Sequence, residues 1–149
     1  MFHLAQINIA RFRAPMADPV NAPFIAALDA VNAIADVQPG FIWRLVGAGN
    51  NALDLRPFDD PDMAVNMSLW TDLEALSDFV YSNPAHREFL LCRREWFDRI
   101  DTHMALWWSP AGIIPTVDEG KARLERLARQ GPGPDAFLFN QPFEPLRSV

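Results

Sequence analysis

The stretch from Met63 to Phe97 constrains the fold more than any other part of the chain. Met63, Val65, Met67 and Leu69 alternate with Ala64, Asn66, Ser68 and Trp70. A period of two puts the first set on a buried face of a strand and the second set on the opposite face. Thr71-Asp-Leu-Glu74 follows at once. A threonine with glutamate three residues on is a capping-box pattern, so a helix is predicted to begin there. Leu73, Leu76, Phe79 and Val80 recur at helical spacing. Ser82-Asn-Pro84 then predicts a stop and a second helix start, with proline in the favoured first turn.

The rest of the chain supplies partners for this core. His3 to Phe12 reads as a strand, with Ala5, Ile7 and Ile9 opposite Leu4, Gln6, Asn8 and Ala10. A helix is predicted to start near Asp18-Pro19 or Asn21-Ala-Pro23, carrying Phe24, Leu28, Val31 and Ala35 on its apolar stripe. Phe41 to Val46 predicts a second strand, and Gly47 to Asn51 a turn. Leu53 to Phe58 suggests a short partner strand ended by Pro57. His103 to Ser109 predicts a further strand. Thr116 and Glu119 repeat the capping pattern for a helix running towards Gln130, with Leu124 and Leu127 inward. Ala136 to Phe139 predicts an edge strand or an arm on a neighbouring subunit, and the last residues a loose end.

Without the short partner strand and the C-terminal additions the order is β-α-β-β-α-β, the ferredoxin-like split unit of an α+β fold. One domain is expected over residues 1–131, with a C-terminal extension over 132–149. Helices cover one face of such a sheet, and the other is expected to meet a second sheet in a homodimer.

Charge and composition narrow the function. The net charge is −6, with no dense basic run, which argues against a nucleic-acid partner. No apolar run approaches the ~20 residues of a membrane span, so no membrane partner is expected. Cys92 is the single cysteine, which excludes an intrachain disulfide and suits a reducing compartment. The N-terminal residues lack a basic segment followed by an apolar run, so no signal peptide is expected and a cytoplasmic location is. His3, His86 and His103 do not have metal-ligand spacing, and no phosphate loop or nucleophile elbow is present.

Two sets of residues stand out as candidates for chemistry. His86, Leu90, Arg93 and Phe97 fall at i, i+4, i+7 and i+11, on one helical face. A histidine beside an arginine on a mostly apolar stripe suits a base, a haem ligand or an anchor for an anionic substrate, but a structural hydrogen bond near a helix start is the favoured reading. The second set is Gln6, Asn8, Arg44, Asn66 and Ser68, polar residues on strands expected to be neighbours. They suit a pocket that binds a carbonyl or carboxylate and steadies an enolate-like charge, or the satisfaction of polar groups at an interface. Arg44 is the strongest member, because guanidinium presents a fork matched to carboxylate. Trp107 and Trp108 must point to opposite sheet faces, and Trp108 is the one assigned to a ligand.

The chain resembles an uncharacterised bacterial family within the dimeric α+β barrel superfamily, alongside antibiotic-biosynthesis-type monooxygenases. The stretches that carry the likeness are His3 to Ala10, Pro39 to Arg44, Val65 to Trp70, Ala75 to Tyr81, His86 with Arg93 to Phe97, Trp107 to Gly112 and Pro115 to Glu119. The resemblance implies the ferredoxin-like fold and a homodimer, but no established activity. Its wider relatives include cofactor-free oxygenases, haem-degrading oxygenases and proteins without known chemistry. Three function classes follow: a monooxygenase-like oxidoreductase on an aromatic or polyketide-like compound, with Asn8, Arg44 and Asn66 orienting it and His86 moving a proton; a haem protein with His86 as axial ligand; or a non-catalytic dimer. The cofactor is left unknown.

Overall fold

The computed structural model describes residues 1–49 and 51–146, so the loose end expected at the C-terminus lies partly outside the described residues, as does one position of the 47–51 turn. Its centre is β1, Phe2–Phe12, paired antiparallel on one side with β3, Met63–Trp70, and on the other with β5, Met104–Pro110. The register sets Gln6 opposite Ser68 and Asn8 opposite Asn66. β2, Phe41–Arg44, lies outside β3, and the two-residue β4, Phe97–Asp98, pairs with Arg11 and Phe12 at the end of β1. The main order β2-β3-β1-β5 is that of the ferredoxin-like unit. β3 has the bounds expected from its alternation.

The two sheet faces are covered differently. Leu4, Trp70 and Leu106 pack under α1, Ala22–Asp36, and α2, Leu73–Ser77. Ala5, Ile7, Met67, Leu69 and Trp107 pack under α5, Val117–Gln130, through Leu124 and Leu127. That contact is tight: a Cβ on Gly120 would stand 2.8 Å from Ile7 Cδ1. The second face is therefore covered by this chain's own helix, where a second sheet was expected. The segment Ala136 to Phe139 likewise lies on its own chain: Phe137 bridges Leu106 and is fully buried.

Other expectations are corrected locally. Residues 53–58 form no strand; Asn51 Oδ1 accepts from the Leu53 backbone N–H, and Arg56 donates to the Leu53 and Leu55 carbonyls, holding a turn. The α2 cap is Asp72, which accepts from Ala75 N, because Thr71 is still held to the sheet side by its N–H to Gly40 O. Thr116 does cap α5 at Glu119 N, but the Glu119 carboxylate turns to Arg123. At α1 both expected starts are used: Asp18 caps a 3-10 turn, Pro19–Asn21, that runs into the helix. After α2 the chain passes through a π turn, Asp78–Ser82, then α3, Pro84–Leu91, and a short α4, Arg93–Trp96.

Candidate functional site

The Leu4–Asn8 face of the sheet leaves a partly open cavity of about 170 Å³ beneath α1 and α3. An apolar cavity of about 150 Å³ holds a benzene ring, so this one takes a compact aromatic body. Phe24, Phe41, Phe79 and Phe89 supply much of its wall, and Gln6, Asn8, Asn66 and Ser68 its polar floor.

The floor is a connected network. Trp70 Nε1 donates to Ser68 Oγ at 2.8 Å, and Gln6 Nε2 donates to the same oxygen at 2.8 Å. Gln6 Nε2 also donates to Asn66 Oδ1 at 2.6 Å, and Asn8 Nδ2 donates to Asn66 Oδ1 at 3.2 Å and to Gln6 Oε1 at 3.1 Å. An indole N–H can only donate, which makes Ser68 Oγ an acceptor and orients the set. With its oxygen bound twice, Asn66 keeps its side-chain NH2 without a protein partner among the described residues. Gln6 and Ser68 are buried, so that end of the network is prearranged and shielded from water.

His86 enters from the helix layer for a local reason. In a continuous α-helix the Val80 carbonyl would accept from residue 84, but Pro84 has no N–H. His86 Nδ1 lies 3.0 Å from that carbonyl and fills the vacancy. A carbonyl can only accept, so Nδ1 carries the proton and a neutral ring presents an unprotonated Nε2. Burial lowers the His86 pKa from 6.5, partly opposed by the Val80 hydrogen bond, which keeps the ring neutral. Phe79 packs edge-on against it, with centroids 4.8 Å apart.

Leu90, Arg93 and Phe97 line the cavity with His86, although the helix breaks at Cys92 and Phe97 belongs to β4. His103, which sequence reasoning considered only as a metal ligand, joins them, and its backbone carbonyl accepts from Ile9 N. The His103 pKa is lowered by burial and then by the Arg93 charge. Trp70 was also missed as a site residue, although its place in the Asn66-Ser68 alternation was a usable signal.

The remaining candidates fall elsewhere. Arg44 reaches the cavity rim, but its Nε and Nη2 bind the Asp36 carboxylate at 2.7 and 3.2 Å, so the fork is already filled. Trp108 does not line the cavity with the others. It packs by Phe137 and donates its indole N–H to Phe143 O at 2.7 Å.

The histidines set a pH dependence. Both have folded-state pKa values below the unfolded value of 6.5. Above 6.5 both states are neutral at these positions and stability is unaffected. As pH falls below 6.5 the unfolded chain takes up protons first, and stability drops until the folded pKa values are passed. Denaturant midpoints are expected to fall between about pH 7.5 and about pH 5.5, with a shallower fall in His86→Asn.

Among the described residues no helix is long and apolar enough to cross a membrane. No curated protein matches the chain. Solved structures do. SnoaB, a cofactor-independent oxygenase from Streptomyces nogalater, is 18% identical over 78% of this chain and 100% of its own, with a TM-score of 0.53. A putative antibiotic biosynthesis monooxygenase from Chloroflexus aurantiacus J-10-fl is 20% identical over 75% and 97%, at 0.52. A conserved protein from Methanosarcina mazei Go1 is 13% identical over 72% and 92%, at 0.55. At such identities the likeness concerns the fold, which is that of the antibiotic-biosynthesis-monooxygenase-like α+β proteins. A family model described as a domain of unknown function, DUF3291, matches residues 3–148, and the chain belongs to that family.

Proposed function

We propose that this protein binds a compact aromatic molecule in the cavity and oxidises it with dioxygen, without a tightly bound cofactor. The observation that carries the reading is the pairing, in one cavity, of a neutral His86 with an unprotonated Nε2 and an Asn66 amide whose NH2 is free to donate. The likeness in fold to SnoaB supports the reaction class by analogy.

His86 Nε2 takes a proton from an activated methylene beside the ring, and the enolate-like charge is held by the Asn66 NH2. The carbanion reduces dioxygen and forms a C–O bond, and the resulting peroxide anion takes the first proton back from His86, which frees Nε2. His86 removes the second C–H proton as the O–O bond breaks, and the leaving hydroxide departs as water. In sum, one methylene and one dioxygen become one carbonyl and one water, with the substrate as the only reductant. Arg44, occupied by Asp36, shapes the mouth.

An oxygen electrode tests this over a panel of phenols and aryl ketones with activated methylene groups. Consumption of one dioxygen per carbonyl formed is expected for at least one member. Ligand binding across the panel with no oxygen uptake would leave a binding protein and remove the enzyme.

A further inference from the structure

The charged groups of the cavity are of one sign. Among the described residues its lining holds Arg44 and Arg93 and no aspartate or glutamate, in a chain with 19 acidic residues against 13 basic ones. Arg44 is neutralised by Asp36. Arg93 is not: Arg11, Arg44, Arg123 and Arg126 each hold a carboxylate, whereas Arg93 has no hydrogen bond or ion pair among the described residues. It is half-buried, and burial lowers its pKa, yet a guanidinium stays charged at neutral pH. A partly desolvated cation without a protein partner is costly, and an anion that supplies two acceptor oxygens relieves that cost. This group lines the same cavity as the aromatic walls and as His103, whose imidazole lies near enough to feel the Arg93 charge.

We propose that the natural ligand is a small aromatic carboxylate, its ring held among Phe24, Phe79 and Phe89 and its carboxylate bound by Arg93. This rests on the cavity being the ligand site and adds the charge of the ligand. The Arg93 charge also favours entry of an anion into a protein that is negative overall. Arg93 is a binding residue here, and the proton chemistry stays with His86.

The test is isothermal titration of the full chain with cinnamate and with cinnamyl alcohol, which share ring and spacer and differ in the charged end. The wild type is expected to bind cinnamate about tenfold more tightly, as befits a charge-assisted bidentate contact. Arg93→Met is expected to remove that preference while holding cinnamyl alcohol within about twofold, and Arg93→Lys to restore part of it. Equal affinity of the wild type for both compounds, a comparison that needs no variant, would overturn the carboxylate assignment and leave the cavity standing. So would a preference that survives Arg93→Met. Binding of neither compound at millimolar concentration would overturn the assignment together with the cavity reading beneath it.

Discussion

Replacing His86 by asparagine is expected to lower the turnover number for oxygen consumption by about 10²- to 10⁴-fold, the range that a positioned general base contributes. The substitution is chosen for the local geometry. Asparagine keeps an N–H close to where Nδ1 sits, so the Val80 carbonyl left open by Pro84 retains its donor. His86→Ala removes base and donor together and exposes an orphan carbonyl, costing about 1–3 kcal/mol of stability as well. The two variants therefore separate the proton-transfer role from the structural one. If His86→Asn keeps full turnover, His86 is only a helix-break plug. Asn66→Ala is expected to lose about 10²-fold with a similar KM, because the NH2 acts on charge that develops in the reaction.

The largest expected effect on stability lies on the other face of the sheet. Trp107 is fully buried between β1, β3 and α5, so Trp107→Ala is expected to cost about 3–5 kcal/mol. Its indole N–H has no hydrogen-bond partner among the described residues. Trp107→Phe leaves no orphan donor and keeps most of the volume, so its cost is expected to stay below about 2 kcal/mol. Arg123 stacks over the Trp107 ring at 5.8 Å, which ties α5 to the sheet a second time. Urea denaturation of both variants gives the difference. A small cost for Trp107→Ala would mean that α5 does not seal this face over Trp107.

The strands were legible because a pleated backbone turns alternate side chains to alternate faces, and β1 and β3 each carry a clean alternation. The same rule put Gln6 with Asn8 and Asn66 with Ser68, and the register then brought the two pairs to one face. What was not legible depends on partners distant in sequence or on the choice between two faces. An amphipathic helix shows which side is apolar and not which surface it covers, so α5 was not assigned to the sheet face where a dimer was expected. Nothing in Phe41 to Val46 shows that Arg44 meets Asp36 at the end of α1, and nothing near Trp108 points to Phe143. The turn at 53–58 looked extended because Leu53 and Leu55 alternate, while side-chain bonds from Asn51 and Arg56 decide otherwise. His86 was chosen for its helical face, and that face survives the break at Cys92 only because β4 carries Phe97 back to the cavity.

The central claim is that the ligand site is the amide-floored cavity on the helix side of the sheet. A titration of the isotopically nitrogen-labelled protein with cinnamate, read at the side-chain amides and indoles by nuclear magnetic resonance, tests it most directly. The amides of Gln6, Asn8 and Asn66 and the Trp70 indole are expected to move together along one saturable isotherm. The Trp107 indole on the far face and the Trp108 indole beside Phe143 are expected to hold still. An unchanged amide set at saturating ligand, or shifts centred on Trp108, would contradict the account.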